Sequence, residues 1–394
     1  MISFQMWYLM KLIKMKISDL LLFDEGIELD FIAQQRVTDQ NDEGLTQILG
    51  NIYRQNVVVI IGINASGKTT VLKALSFVMD LYAKQGKLNS EKYEFLANEQ
   101  RFIVEAYFHF DEHKLMKIES VVARNDYDQL VFEEEKIWVK KIDKVKKSLY
   151  AFTEKHLQTL RSQENSPYLA DDMSMIIAHM KNQKLQEIID LISETNKNVM
   201  KAAGQIPVQM VGFLDKSIEY LYEEKDSNNN LMIRLKFKGQ DREIYLNNYQ
   251  HLEAYLSSGT IKGLNVLAAV EKVFKVGGTL LIDEIENHFN KEIVRTIVNF
   301  FRNERTNPKG ATLVFTTHYS ELLDDFERND SVYISLKEDK LRFKNLNDLL
   351  NRSDYKKSEV YQSSYVGPTA PSYNAYMDLK KYLQQVHNVS GSRT

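Results

Sequence analysis

The stretch Val57-Val58-Val59-Ile60-Ile61 runs directly into Gly62-Ile63-Asn64-Ala65-Ser66-Gly67-Lys68-Thr69, and no other part of the sequence constrains the fold as tightly. Five apolar β-branched residues read as a strand buried on both faces. The eight that follow fit the phosphate-binding loop pattern G-x-x-x-x-G-K-[ST]. Beyond them Val71, Leu72, Leu75, Val78, Met79 and Tyr82 recur on one helical face. Glycines let such a loop curl until its N–H groups face phosphate oxygens, and the helix N-terminus adds a favourable dipole. Gly62, Asn64, Ala65, Ser66, Gly67, Lys68, Thr69 and Thr70 are therefore the candidate phosphate cradle. In that role Lys68 reaches the β- and γ-phosphates and the Thr69 hydroxyl binds Mg²⁺. A chance glycine turn before an ordinary helix is the alternative, and the flanking strand and helix weigh against it.

Composition excludes several other chemistries. With 394 residues, 43% of them apolar, the chain can bury one large core or two to three ordinary ones. Its 51 basic and 54 acidic residues nearly cancel, to a net charge of −3. That balance argues against a nucleic-acid binder over its whole surface, although a local basic groove stays open. The absence of cysteine rules out disulfides, thiolate metal sites and cysteine nucleophiles, and suits a reducing cytoplasm. No apolar run approaches the ~20 residues that span a bilayer, so no membrane partner is expected. Residues 1–15 are apolar but broken by Gln5, Lys11 and Lys14, and lack a small-residue cleavage site.

Along the chain, residues 11–32 read as two strands around Asp24-Glu25-Gly26. Residues 101–110, 117–123 and 129–139 read as further, antiparallel strands. Between 145 and 205 apolar residues recur at helical spacing: Leu157 and Leu160; Met173, Ile176, Ile177 and Met180; Leu185, Ile188, Ile189 and Ile192. Three amphipathic helices are expected there, broken near 162–167 and 181–183, packing on one another and leaving some surface for a partner. Strands return at 216–224 and 231–246. A helix at 261–275, a strand at 279–283, a helix at 291–303 and a strand at 312–316 follow, then a closing hairpin at 331–345. From 346 the tail is polar, with its last seven residues expected to be disordered. The expected fold is thus α/β, a P-loop domain with a mixed sheet, an antiparallel β-subdomain and a helical insertion. Its divisions are 1–144, 145–205, 206–345 and 346–394.

A second set of motifs completes a nucleotide site. Thr279-Leu280-Leu281-Ile282 is an apolar strand ending in Asp283-Glu284. An Asp at a strand tip can order Mg²⁺, and an adjacent Glu can orient and deprotonate water. Two surface acids after a core strand is the plainer reading, and the phosphate loop upstream disfavours it. Another apolar strand, 312–317, ends at His318, where a γ-phosphate sensor belongs. Leu256-Ser257-Ser258-Gly259-Thr260 opens a helix just before the acidic strand; alone it would be an ordinary N-cap.

Taken together, GINASGKT, LSSGTIKG, LLIDEIENHFN and TTHYSELL resemble the bacterial AAA/ABC-type ATPases of the OLD and AbiL abortive-infection kind, relatives of the RecF/SMC group. The four motifs are short singly and specific jointly, and cover roughly 56–85 and 250–325; 352–359 resembles that family's tails more weakly. The resemblance implies ATP and Mg²⁺ as ligands, Walker A and Walker B motifs, and a head-to-head ATP-sandwich homodimer or higher even-numbered oligomer. It also implies a role in phage defence beside a partner effector, a nuclease or toxin. Carried over, Ser66, Lys68 and Thr69 hold phosphate and metal, Asp283 orders the metal, Glu284 is the general base and His318 contacts the γ-phosphate. Ser257, Ser258 and Gly259 form the signature that reads the other subunit's nucleotide. Ser258 stands where the commonest signature has glycine. Asn287 and His288 fall in the D-loop, and Gln100 is the one candidate for the Q-loop glutamine.

Other constellations carry less. His109-Phe110-Asp111-Glu112-His113 spans a strand end, where alternate residues face opposite ways, which disfavours a metal site. Lys140, Lys141, Lys144, Lys146 and Lys147 follow Glu133–Glu135 and read as a solvated face, with a phosphate-backbone contact as the minor alternative. A regulatory ATPase is the leading function. A transporter ATPase would need a clear Q-loop. An SMC-like repair head would need long arms, whereas 145–205 could build two helices of only ~45 Å at 1.5 Å per residue. The 76 residues after His318 are too few for an added nuclease domain of the OLD kind.

Overall fold

The structure, a computed structural model, describes residues 9–83, 87–110, 113–162, 170–177, 184–194, 200, 206–225, 229–287, 289–350, 355–367 and 373–390. Its strands in chain order are β1 (Leu9–Ser18), β2 (Ile27–Asp30), β3 (Leu45–Leu49), β4 (Ile52–Gln55), β5 (Val57–Gly62), β6 (Arg101–Phe110), β7 (Lys114–Arg124), β8 (Leu130–Lys141) and β9 (Leu157–Arg161). They continue with β10 (Lys184–Leu185), β11 (Ile188–Asp190), β12 (Ile218–Lys225), β13 (Leu231–Phe237), β14 (Ile244–Leu246), β15 (Thr279–Ile282), β16 (Thr312–Thr317), β17 (Val332–Lys337) and β18 (Leu341–Asn345). The helices are α1 (Lys68–Ala83), α2 (Val208–Leu214), α3 (Ser258–Val276), α4 (Lys291–Arg302), α5 (Leu346–Leu349), α6 (Lys357–Gln362) and α7 (Tyr373–Ser390).

Two sheets clamp α1. The central sheet has the order β11-β15-β16-β5-β17-β18, parallel except for β18. Its strands are apolar throughout because both faces are covered. Val58, Ile60, Leu281 and Val314 pack on the α1 side with Leu72, Leu75 and Phe77. Val57, Val59, Ile61, Leu280, Ile282 and Phe315 pack on the opposite side with Val266 and Val270 of α3 and Val294 and Ile297 of α4. The second sheet, β10-β1-β6-β7-β8-β9 with β2 beside β1, closes over α1 from the other side, through residues such as Phe102, Val104 and Phe108. A smaller sheet, β12-β13-β14, shares a core with Val211 of α2 and with Ile261 and Leu264 at the start of α3.

The segment 145–205 departs from the expected three helices. Leu157 and Leu160 lie on β9, which pairs with β8 through Trp138↔Leu157 and Ile137↔Gln158. Leu185 lies on β10 beside β1, and Ile188 and Ile189 lie on β11, the edge of the central sheet beside β15. Short apolar runs satisfy helical and strand spacing alike, and here long-range pairing decided. Residues 184–194 therefore complete both large sheets instead of forming a separate bundle. Ile176 and Ile177 are helical, while Met180 and both expected breaks, apart from Ser162, lie outside the described residues. The tail also holds more structure than expected. Helix α6 packs against the turn after β16, where Ser358 donates to Asp324 from both its N–H (2.9 Å) and its hydroxyl (2.5 Å). Residues 388–390 close α7, and 391–394 lie outside the described residues.

Candidate functional site

The C-terminal ends of β5, β15, β16 and β11 lie side by side, because those strands are parallel neighbours. Ligands of open α/β sheets bind at that edge. The loop after β5 curls tightly: Ala65 sits at φ 58° and Gly67 at φ 94°. Glycine suits position 67 because its φ of 94° strains any L side chain, and a Cβ there would also press on the Leu341 and Phe23 side chains. Asn64 and Ala65 are exposed, Thr70 is half-buried, and α1 begins at Lys68. Lys68 folds back over its own loop, donating to the carbonyls of Gly62 (2.9 Å) and Ile63 (3.2 Å). Burial, foremost, holds its amine below the ordinary lysine range, while Glu284, Asp283 and Glu286 pull it back up. The Ser66 hydroxyl is buried with no hydrogen-bond partner. A buried unpaired hydroxyl in a loop with positive-φ backbone and a buried lysine suits a phosphate chain, which would supply the missing acceptors.

The two halves of the site meet across 214 residues. Thr69 Oγ1 donates to Asp283 Oδ2 at 2.7 Å. Asp283 Oδ1 accepts from the Thr316 hydroxyl at 2.6 Å. Glu284 adopts φ 44°, and its N–H donates to Thr316 Oγ1 at 2.7 Å. Asn287 holds the Glu284 carboxylate from the other side, Nδ2 to Oε2, at 2.6 Å. His318 Nε2 lies 3.6 Å from Glu284 Oε1, and the His318 N–H donates to Glu286 Oε1 at 2.6 Å. Asp283, Glu284, His318 and Thr69 thus converge, and His288 lies outside the described residues. Among those residues no cluster of three or more His, Asp or Glu could hold a metal unaided. A hydroxyl beside one carboxylate fits Mg²⁺, which keeps waters and takes phosphate oxygens as its other ligands.

The signature turn sits apart. Ser257 caps α3, its hydroxyl accepting from the Thr260 N–H at 3.1 Å, and Ser257, Ser258 and Gly259 are all exposed. Among the described residues no hydrogen bond joins this turn to the phosphate loop or to Glu284. Gln100 is exposed at the start of β6, where its carbonyl accepts from Arg124 N–H. The cavity beside the metal-side residues, about 640 Å³, is lined instead by Lys92, Asp190 and Ser193 opposite Thr69, Asp283 and Glu284. Asp190 accepts from Ser76 Oγ at 2.6 Å and lies 3.7 Å from Lys92 Nζ. Asp190 on β11 and Ser193 just beyond it escape sequence reading because that segment also fits helical spacing, while Lys92 stands in no motif and Thr316 lies in one that singles out His318 instead. Two of the five lysines of the basic run are tied down: Lys140 Nζ donates to the carbonyls of Ser148 and Ala151, and Lys146 Nζ to those of Ala33 and Gln34, while Lys141, Lys144 and Lys147 are exposed.

A mixed sheet of this order, with a phosphate loop and an acidic strand tip meeting at its C-terminal edge, defines a P-loop nucleotide-binding fold. Residues 57–324, about two thirds of the 394-residue chain, match the family described as "AAA domain, putative AbiEii toxin, Type IV TA system". The chain belongs to that family. Among solved structures it is similar to an SMC head bound to the C-winged helix domain of ScpA, at 12% identity and a TM-score of 0.46, over 86% of this chain and 99% of that one. It is also similar to the recombination mediator RecF with ATP, at 14% identity and a TM-score of 0.40, over 84% of this chain and 97% of that one. No curated protein matches it in sequence.

Proposed function

We propose that the chain binds ATP with Mg²⁺, hydrolyses it at a site shared by two copies, and uses that cycle as a cytoplasmic switch over a separate effector, a nuclease or toxin, in anti-phage defence. The observation that supports it most is the 2.7 Å hydrogen bond between Thr69 and Asp283, which unites the phosphate loop with the acidic strand. In this reading Lys68 leaves its own carbonyls for the β- and γ-phosphates, and the cradle N–H groups and Ser66 take the remaining oxygens. Thr69 and Asp283 would hold Mg²⁺, which would supply neutralisation of phosphate charge. Glu284 takes the proton of the attacking water as the γ-phosphorus bond to ADP breaks, and His318 steadies the γ-phosphate. The exposed Ser257-Ser258-Gly259 turn serves the other copy. The effector part of the reading is supported by the family description, which names a toxin. The lobes 1–144 and 206–345 remain the proposed division of the ATPase, with 184–194 woven into its sheets.

Phosphate release by the purified chain with Mg-ATP tests the enzymatic part. Lys68→Ala should abolish nucleotide binding by calorimetry. Glu284→Gln should keep binding while slowing turnover by roughly 10²–10⁴-fold, the usual worth of a general base. Co-expression with the protein encoded next to it tests the switch. Capture of that partner should differ between ATP and ADP and should lose the difference in Lys68→Ala. Capture that ignores the nucleotide would remove the switch from this reading.

A further inference from the structure

Thr316 occupies a place that β16 alone does not require. The strand is buried throughout, and an apolar residue would fill the position without a polar group to satisfy. Instead the Thr316 hydroxyl bridges the two carboxylate residues at the tip of β15. An amide N–H can only donate, so at 2.7 Å the Glu284 N–H gives its proton to Thr316 Oγ1. A hydroxyl has one proton of its own, and that proton is donated to Asp283 Oδ1 at 2.6 Å. The polarity of the relay is therefore fixed: Glu284 amide to Thr316 to Asp283, with Thr69 donating to the other Asp283 oxygen. At its far end Glu284 stands at φ 44°, a conformation that residues with side chains seldom adopt and that persists only where the surroundings enforce it.

We propose that Thr316 is a positioning residue for ATP hydrolysis, coupling the rotamer of the metal-side carboxylate Asp283 to the backbone of the base Glu284. The inference rests on the ATPase reading above. Thr316 is fully buried, so in this reading it acts through Glu284 and Asp283, which it bridges. One hydroxyl holds both the Asp283 carboxylate and the Glu284 amide, so a shift in the Asp283 rotamer would be felt at the Glu284 backbone. The carboxylate that must face the attacking water is thereby aimed only when the metal side is in order.

Thr316→Val, nearly isosteric, removes both hydrogen bonds; Thr316→Ser keeps the hydroxyl. In Thr316→Val, kcat should fall roughly 10–100-fold while KM and ATP affinity stay within about 3-fold, the split expected when only transition-state stabilisation is lost. Thr316→Ser should return kcat to within about 3-fold of wild type. Adding Thr316→Val to Glu284→Gln should cost little more, because a residue that acts through the base has nothing left to aim. Should Thr316→Val fold poorly, Thr316→Ala carries the same expectations. Equal losses in the Val and Ser variants, or a Val effect that multiplies fully with Glu284→Gln, would overturn the inference. Turnover lost in Lys68→Ala yet unchanged in Thr316→Val would overturn it alone; turnover that survives Lys68→Ala would overturn the ATPase reading and the inference with it.

Discussion

His109 shows at the scale of one residue how the same atoms argue against a metal and for a pH response. In sequence it sits in a His-Phe-Asp-Glu-His run that mimics a ligand cluster. In the structure it lies on β6 opposite Lys11 of β1, and its Nε2 is buried without a partner. Burial first, then the charges of Lys11, Arg54 and His113, push its imidazole down to about 4 from the ordinary 6.5. Lys11 itself is held down to about 7, chiefly by burial and then by Arg54, while donating to the carbonyls of Lys309 and Gly310. Cations on its near side would repel a divalent ion. The sign of the pH effect follows. The unfolded histidine takes a proton below about 6.5, whereas the folded one resists until about 4. The stability tied to neutral His109 is therefore complete above pH ~6.5 and lost as pH falls toward 4, a loss on the order of 2 kcal/mol. Urea unfolding at several pH values between 7.5 and 4 should show a steeper decline for wild type than for His109→Gln. Parallel curves would mean that other groups set the acid sensitivity.

At the scale of elements, what was legible in the sequence is what local pattern alone determines. The β5–loop–α1 unit carries its own punctuation. β15 and β16 are apolar runs with polar tips, and α4 opens at Asn290, whose side chain accepts from Ile293 N–H at 3.1 Å. Those segments carry Lys68, Thr69, Asp283, Glu284 and His318, and the structure brings the last four together. The misread elements are edge strands of two to five residues. Leu185, Ile188, Ile189 and Ile192 fit one helical face, yet β11 exists because Ile188 and Ile189 pair with Thr279 and Leu280 some ninety residues later. Three isoleucines in five residues favour strand, and that was the available signal. The hairpin β3–β4 went unread because its first strand is half-exposed and not apolar enough to stand out. One junction is a direct test of how elements fit. Gly277 ends α3 in the left-handed region at φ 70°, and a Cβ there would sit 2.9 Å from the Lys309 carbonyl. Gly277→Ala should lower unfolding stability by about 1–2 kcal/mol in denaturant titrations, from backbone strain alone. A neutral result would show that the backbone around residue 277 relaxes out of the left-handed region at little cost.

The whole molecule, as one chain, presents the two parts of the proposed shared site on separate surfaces. The cradle, Asp283 and Glu284 gather at the edge of the central sheet. The Ser257-Ser258-Gly259 turn lies exposed at the head of α3, beyond the core it shares with β12–β14. The first N–H groups of a long helix lack intrahelical partners, and Ser257 satisfies only that of Thr260. A terminal phosphate offered by a second copy would satisfy others. Two-fold symmetry then requires both sites to be built alike, each from one copy's cradle and the other's turn. A mixing experiment separates this arrangement from two independent sites. Lys68→Ala spoils a chain's cradle but leaves its turn intact; Ser257→Arg blocks the turn but leaves the cradle. Each homodimer should be nearly inactive. In the mixed dimer the Ser257→Arg chain supplies a sound cradle and the Lys68→Ala chain a sound turn, so one site of two is whole. Random 1:1 mixing makes half the dimers mixed, so turnover should recover to about a quarter of wild type if the sites act independently. If the Ser257→Arg chain alone is as active as wild type, or if demonstrated mixed dimers recover nothing, each chain must work its own site, and the exposed turn serves some other contact.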